Sequence, residues 1–406
     1  CKAEPDARKK YLRERVRGYD ADDFAVEIAR LSLTLTDIPN SNGWMIQPAD
    51  LFESDLIEKA AAKSTILLAN PPFEDFKAPQ RERYARKFRA PQFHNKTAEM
   101  LHRALTVMPT GGVFGVVIPQ SLLHESNAAD FRKLLVEKFE FQEICLFPDG
   151  VFNFADQEAA VLIGQKLQPK SLASVSVRYR RVRERQMDSF RHDYAVTSEF
   201  EISQKRFQES LNFDLRVPDL EAIWTHCEGF PQIGDFFNAG KGFEHLRTNS
   251  LKLPKKTILV SKAYFDGAVN GFATVGKSLQ THKLPEEVWV NVSENVIRRS
   301  GMGTQTKFPQ IIQGYAPVQR APWCVKAVHD EKGHAVTSRF IVARPKPKTS
   351  TPLKVLWAFF NSPFANAYAY AYSTKREILV DTLRRMPVPA LKGKNYLGIV
   401  RAVDEY

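Results

Sequence analysis

An α/β domain followed by a second domain of α+β or mostly β type is the fold class the sequence predicts, on three observations. Between residues 15 and 168, apolar runs of strand length alternate with segments of helical period. Three of the early runs end at Asp20, Asp50 and Asn70, and doubly wound sheets gather their ligands at the carboxyl ends of strands. Near residue 168 the alternation gives way to a basic stretch, then to short β-like runs punctuated by Gly and Pro. A chain of 406 residues is long enough for two or three domains with cores of their own. The boundaries fall at 1–168, a basic connector 169–228, and 229–406.

Taken in order, residues 1–14 are polar and suit the end of a surface helix or a loop. Val16 to Asp20 is a short strand, and Asp22 caps a helix in which Phe24, Ile28, Leu31 and Leu35 recur at helical spacing. Trp44 to Gln47 is a second strand, leading to Asp50-Leu51, and Leu56 to Ala62 a short helix. Thr65 to Ala69 has the length and branching of a buried strand, and it delivers Asn70-Pro71-Pro72-Phe73 to its carboxyl end. Each Pro removes a backbone donor and holds the preceding residue extended, so these four residues form a stiff loop rich in free carbonyls. Such a loop suits a planar ligand with an amino group. Lys77 to Arg89 is polar and basic and reads as a loop; Thr97 to Leu105 is an amphipathic helix stopped near Pro109 and Gly111-Gly112. Val113 to Ile118 is apolar throughout, as a central strand should be. A helix over Phe131 to Phe139 and strands over Phe141 to Phe147 and Ala159 to Gly164 complete the first domain. In the second half, Ile258 to Val260, Val288 to Val290, Ile311-Ile312 and Phe340 to Val342 are candidate strands, and Pro352 to Phe360 and Asn361 to Ser373 candidate helices.

The formal net charge is +12, which favours a polyanionic partner over a merely basic surface. Cys1, Cys145, Cys227 and Cys324 are far apart and show no zinc-binding spacing, so reduced thiols and no metal are expected. No apolar run approaches the length of a membrane span and no signal-peptide core stands at the start, so a cytoplasmic protein away from membranes is the expectation. There is no internal repeat at a fixed period, and no convincing nuclease pattern.

Asn70-Pro71-Pro72-Phe73 behind an apolar strand resembles the catalytic loop of the amino-methyltransferases of DNA, in particular the adenine-N6 class that uses S-adenosylmethionine. A chance Asn-Pro-Pro-Phe/Tyr in a chain of this length has a probability of about 1% or less. Further residues match in the family's order. Gly18-Tyr19-Asp20 resembles the strand end whose acid holds the cofactor ribose, and Ala21 stands where a residue packs on the cofactor adenine. Asp50-Leu51 resembles the next motif, whose acid accepts a hydrogen bond from that adenine. Gly112 to Pro119 resembles the central strand, and Gly150-Val151-Phe152-Asn153 a later loop that supplies a second aromatic to the target base. Taken singly, Asp20 fits a helix cap equally well, and Phe152 a core position. The resemblance, over about residues 15 to 168, implies a class I S-adenosylmethionine-dependent methyltransferase domain, Rossmann-like and N-terminally incomplete. Its cofactor would be S-adenosylmethionine, with Asn70, Pro71, Pro72 and Phe73 catalytic, Asp20, Ala21, Asp50 and Leu51 on the cofactor, and Phe73 and Phe152 stacking on a flipped base.

The stretch from Phe230 to Gly242 resembles the entry to target recognition domains of restriction-modification enzymes, and Leu356 to Pro363 followed by Met386-Pro387-Val388-Pro389 resembles their end. Arg181, Arg183, Lys241, Arg247, Lys277 and Arg320 are the candidate DNA contacts, each also readable as a solvated surface charge. The implied function is sequence-specific adenine-N6 methylation of double-stranded DNA in a restriction-modification or phage-defence system. Alternatives are a non-catalytic DNA-binding or specificity module and an amino-methyltransferase acting on cytosine N4 or RNA. The family's glycine-rich cofactor turn precedes the ribose-binding acid, whereas the first glycine here is Gly18. Gly240-Lys241-Gly242 and Gly301-Met302-Gly303 lie in the wrong half to replace it, and a lone GxG is weak. Two expectations stand: a C-terminal portion of a longer enzyme, whose partners include the missing N-terminal part or other restriction-modification subunits, or an incomplete relative without activity of its own.

Overall fold

The computed structural model describes residues 4–38, 43–152, 157–166, 175–246, 259–260, 268–274, 279, 283–318, 323–347, 349–372, 377–388 and 394–405. The chain divides into two compact units, Cys1–Arg216 and Val217–Tyr406.

The first unit runs α1 (Pro5–Arg15), β1 (Arg17–Asp20), α2 (Asp23–Thr36), β2 (Met45–Pro48), α3 (Leu56–Ala61), β3 (Ile66–Ala69), α4 (Ala78–Lys87), α5 (Lys96–Val107) and β4 (Val113–Pro119). It continues with α6 (Ala129–Lys138), β5 (Phe139–Phe147), β6 (Ala159–Lys166), β7 (Ser176–Arg181), α7 (Met187–Asp193), β8 (Ser198–Ser203) and α8 (Lys205–Glu209). Six strands form one sheet in the order β3-β4-β6-β5-β7-β8, and β1 and β2 form a separate pair. β1 and β2 are parallel, as are β3 and β4, while β6 runs antiparallel to both β4 and β5. The sheet is therefore mixed. Its core is aromatic: Phe114, Phe131, Phe139 and Phe141 are fully buried with Leu101, Ala104 and Leu105 of α5, each large apolar side chain contributing about 1.5–3 kcal/mol. Phe114 and Phe139 meet edge to face at 5.2 Å. Gly164 makes this possible, because a Cβ there would lie 2.8 Å from the Phe114 ring and 2.9 Å from the Glu140 carbonyl.

Four expectations change. β3 is an edge strand rather than a buried one, with Ile66 61% and Leu68 79% exposed, because β4 is its sole partner among the described residues. The Phe24/Ile28/Leu31/Leu35 stripe of α2 faces outward, and the helix packs instead through Val26, Ala29 and Leu33 against Trp44 and Ile46. Lys77 to Arg89 contains helix α4, started by Pro79 in its first turn and by the Gln80 side chain accepting the Lys77 N–H at 2.9 Å. The stretch read as a basic connector supplies β7 and β8, and it is tied in by buried polar groups. Gln204 accepts the Phe141 N–H and donates to the Phe139 carbonyl, and buried Arg132 donates to the carbonyls of Leu122, Glu125, Asn212 and Phe213.

The second unit runs α9 (Glu221–His226), α10 (Ile233–Phe236), β9 (Phe237–Lys241), β10 (Glu244–His245), β11 (Leu259–Val260), β12 (Ala268–Phe272), β13 (Val288–Asn291), β14 (Ile297–Arg299) and β15 (Gln310–Gly314). Then follow β16 (Ala327–Asp330), β17 (Ala335–Val336), β18 (Phe340–Pro345), α11 (Leu353–Phe360), α12 (Pro363–Tyr372), α13 (Val380–Arg385) and α14 (Lys394–Glu405). This is an α+β arrangement around an antiparallel sheet, β16-β15-β18-β9. Alternate residues serve its two faces. Ile311, Ile341 and Ala343 pack on Leu356, Phe360, Ala369 and Leu383 of the helices, whereas Ile312, Val342 and Phe340 pack on Phe272 and Leu279. The stretches at the two ends of this unit lie side by side, with the Ile233 N–H donating to the Met386 carbonyl and the Val388 N–H to that of Pro231. The two GxG stretches meet each other: Gly240 has Met302 against its Cα, and Gly303 lies against the backbone of Val336 and Phe243. Their glycines serve close backbone approach, not a phosphate or cofactor turn. Among the described residues no helix is long and apolar enough to cross a membrane, and no group of three His, Cys, Asp or Glu side chains could hold a metal ion.

Candidate active site

The carboxyl ends of β1, β2 and β3 carry the candidate residues. Asp20 closes β1 opposite Pro48 of β2, and the Ala49 N–H donates to the Asp20 carbonyl at 2.7 Å. The two strands thus end level, with Asp50 just beyond. Oδ1 of Asp20 accepts the Asp22 N–H at 2.9 Å, and Asp22 in turn caps α2 by accepting the Phe24 N–H at 2.9 Å. The capping role expected of Asp22 is therefore filled, and Asp20 is exposed at the strand end, its second oxygen without a partner among the described residues. Ala21 beside it is exposed and Leu51 half-buried.

Asn70 to Phe73 follow β3 directly, and α5 holds them. Its N-cap, Asn95, accepts the Ala98 N–H and donates its side-chain amide to the Phe73 carbonyl at 2.8 Å. The buried Thr97 hydroxyl donates to the Pro72 carbonyl at 2.8 Å. The Lys96 N–H donates to the Glu74 carbonyl at 3.1 Å, and the Lys96 ammonium pairs with the Glu74 carboxylate, holding it below the usual carboxylate range. Two carbonyls of the loop are thereby taken. Among the described residues nothing engages the Asn70 side chain or the Pro71 carbonyl, and Asn70 is exposed while Phe73 is half-buried.

The same helix fixes the loop behind Asp50. Arg103, almost fully buried, makes a two-pronged pair with Glu58 at 2.8 and 2.7 Å and donates to the Leu51 carbonyl at 3.0 Å and to the Ser54 carbonyl. Burial opposes charge on Glu58, but hydrogen bonding and charge from Arg103, with Arg89 nearby, hold its carboxyl below the usual range. Asn95, Thr97 and Arg103 are not singled out by the sequence. Asn95 alone carried a signal, an N-cap residue type one position before a helical run.

The other candidates are dispersed. Phe152 is half-buried in a turn. Arg181 ends β7 and Arg183 follows it, both half-buried. Lys241 lies 3.3 Å above the Tyr315 ring rather than free in solvent, and burial pulls its ammonium down from its ordinary pKa. Arg247, Lys277 and Arg320 fall outside the described residues.

Residues 4–199 match the family model for N-6 DNA methylases. Across nearly the whole chain, three solved structures are similar in fold. One is a nuclease-deletion mutant of the Type ISP restriction-modification enzyme LlaGI in complex with a DNA substrate mimic, 12% identical over 99% of this chain and 42% of that one, with a TM-score of 0.59. The second is the ATP-dependent Type ISP restriction-modification enzyme LlaBIII bound to DNA, 11% identical over 98% of this chain and 34% of that one, TM-score 0.55. The third is the Type IIL restriction-modification enzyme MmeI in complex with DNA, 10% identical over 97% of this chain and 59% of that one, TM-score 0.55. The chain thus spans between 34% and 59% of the length of these relatives. The expected resemblance to the N-6 DNA methylases is borne out over residues 4–199, and the fold class expected of the first unit, that of the class I S-adenosylmethionine-dependent methyltransferases, is borne out as well.

Proposed function

We propose that this chain carries the amine-binding loop and part of the methyl-donor site of a site-specific DNA adenine-N6 methyltransferase of a restriction-modification or phage-defence system. Its partners on this reading are double-stranded DNA and other restriction-modification subunits or segments. The observation that carries it is the sorting of carbonyls in the Asn70–Phe73 loop. Thr97 and Asn95 satisfy those of Pro72 and Phe73, leaving the Asn70 side-chain oxygen and the Pro71 carbonyl as a pair of acceptors.

Two acceptors without a donor between them suit a group bearing two N–H bonds. The amine lone pair of adenine is delocalised into its ring, and hydrogen bonds from both amine hydrogens return electron density to nitrogen. Stabilisation placed where charge changes is the kind that accelerates reaction. An uncharged Asn suffices because the nitrogen loses its proton only after alkylation. Phe73 offers a face on which the flipped base stacks, worth about 1–3 kcal/mol, against the few kcal/mol that flipping costs. When bound, S-adenosylmethionine supplies the electrophilic methyl group that the amine takes up. The residues present fit its nucleoside end: Asp20 has an open carboxylate oxygen for the ribose hydroxyls, and Ala21 leaves room for the adenine plane. Asp50 accepts three hydrogen bonds out of about four that a carboxylate can take. The second unit, on this reading, supplies target recognition through its basic residues.

The test is a methyl-transfer assay on mixed-sequence DNA with the enzyme as encoded by its gene, read by sequencing that detects N6-methyladenine. Methylation at one motif, abolished by Asn70→Ala, supports the reading. Full activity in that variant refutes the assigned chemistry, N4-methylcytosine as the product refutes the adenine assignment, and salt-sensitive DNA binding without transfer favours a non-catalytic module.

A further inference from the structure

The Asp50 carboxylate is clamped on two sides. Its Oδ1 accepts the Phe52 N–H at 3.0 Å, and its Oδ2 accepts the Tyr84 hydroxyl and an Arg83 N–H, each at 2.9 Å. Tyr84 is buried, whereas Arg83 is exposed. Arg83 also donates to Glu53 at 2.7 Å and to the Tyr84 hydroxyl at 3.5 Å, so its hold on Asp50 is shared and solvated, whereas the Tyr84 hydroxyl gives its one proton to Asp50. Burial and the bond to Asp50 push the Tyr84 phenol up to about 12, which keeps it a donor throughout the neutral range.

The ring of Tyr84 is itself fixed. It packs on Phe52 at 5.5 Å and on Phe76 at 5.7 Å, and those two rings meet edge to face at 4.9 Å. Phe52 stands just after Asp50, and Phe76 just after the Asn70–Phe73 loop. The trio therefore links the loop bearing the acid to the loop bearing the amine acceptors, with α4 contributing the hydroxyl.

We propose that Tyr84 is a positioning residue for base specificity in the methyl-donor site. Its hydroxyl turns the Asp50 carboxylate so that the acceptor position left open meets the exocyclic amine of the donor's adenine. This rests on the reading of Asp50 given under Proposed function. Three of about four acceptor positions are already filled, and a carboxylate with a single open position in a fixed direction rewards a ligand N–H there. A ligand without one leaves that position unpaired, the situation in which discrimination is strongest.

The experiment is calorimetry of the enzyme as encoded, with two probes: S-adenosylhomocysteine and its analogue carrying unsubstituted purine, which lacks the amine. The wild type is expected to bind the adenine probe about tenfold more tightly than the purine probe. Tyr84→Phe, which keeps the ring against Phe52 and Phe76, is expected to reduce that ratio to about threefold or less, with the melting temperature essentially unchanged. In an Asp50→Ala background the same change is expected to leave the ratio unaltered, since its target is gone. If Asp50→Ala alone leaves the ratio at the wild-type value, or if the wild type binds neither probe, the reading of Asp50 as the adenine acceptor fails and this inference with it. If Asp50→Ala lowers the ratio but Tyr84→Phe does not, the inference alone is overturned. Equal weakening of both probes by Tyr84→Phe overturns it too, assigning the hydroxyl a structural role only.

Discussion

Thr97→Val separates the holding of the Asn70–Phe73 loop from its chemistry. The substitution keeps the shape of a fully buried side chain and deletes one hydroxyl, the donor to the Pro72 carbonyl at 2.8 Å. The net worth of such a bond is about 1 kcal/mol, which in a unit of this size lowers the melting temperature by about 2–4 °C. The effect on catalysis is expected to be larger than the effect on stability. The freed carbonyl sits next to that of Pro71, one of the two proposed amine acceptors, and a displacement of about 1 Å at a reacting centre costs about a hundredfold in rate. The maximal rate of methyl transfer should fall between about tenfold and a hundredfold. S-adenosylhomocysteine affinity should hold, because Asp20 and Asp50 lie on other loops, and Thr97→Ser should restore the rate. Radiolabelled methyl transfer, calorimetry and thermal melts read the three quantities. An unchanged rate in a destabilised variant would refute the idea that Thr97 aims the loop, as would a fall in donor affinity as large as the fall in rate.

Two further outcomes follow from the same structure. Arg103→Met removes the buried one of Glu58's two cation partners and leaves it the exposed Arg89, which should cost about 1–3 kcal/mol near neutral pH in urea unfolding. Because the Glu58 carboxyl is held below its ordinary 4.5 in the folded unit, the stabilisation it reports is complete above about that pH and is lost as the pH falls through the depressed value, so the deficit of the variant should shrink in acid. Gly303→Ala would drive a Cβ into the Val336 carbonyl and to 2.6 Å from the Phe243 nitrogen; it should destabilise the second unit by about 1–3 kcal/mol, seen as an earlier melting transition, with S-adenosylhomocysteine binding unaffected.

The parts of the fold that the sequence made legible are those where burial is continuous or a motif is stiff. Val113 to Pro119 could be read because every position is apolar or small, and Asn70 to Phe73 because two prolines leave little conformational choice. The period of α2 marks it as a helix but fits two apolar sets, Phe24/Ile28/Leu31/Leu35 and Val26/Ala29/Leu33. Only packing against Trp44 and Ile46 distinguishes the second as the buried one. α4 escaped because its single buried side chain is Tyr84, too little to draw an apolar stripe. Surface ion pairs of Arg83 and Lys87 with Glu53 accompany it instead. β7 was hidden by charge. Val177 and Tyr179 alternate with Arg178 and Arg180, a strand period, and the arginines that look like a polyanion-binding run face Glu143 and Glu199 on the neighbouring strands. A basic stretch with period-two burial is a paired strand before it is a DNA contact.

The Asn-Pro-Pro-Phe loop also shows what a motif leaves out. Its prolines remove donors, so its carbonyls must find partners elsewhere, in water, in the protein or in a ligand. The protein meets that demand selectively: α5 supplies Thr97 and Asn95 to the carbonyls of Pro72 and Phe73 and nothing to that of Pro71. A pair of acceptors, Asn70 Oδ1 and Pro71 O, is what remains among the described residues. A hydroxyl brings one hydrogen to such a pair and a carbonyl none, so both leave an acceptor unpaired, at a cost of about 1–3 kcal/mol. An exocyclic amine brings two. On the proposed reading, the preference for an amine resides in which carbonyls α5 leaves open, and Arg103 on the same helix ties the loop behind Asp50 to that same scaffold.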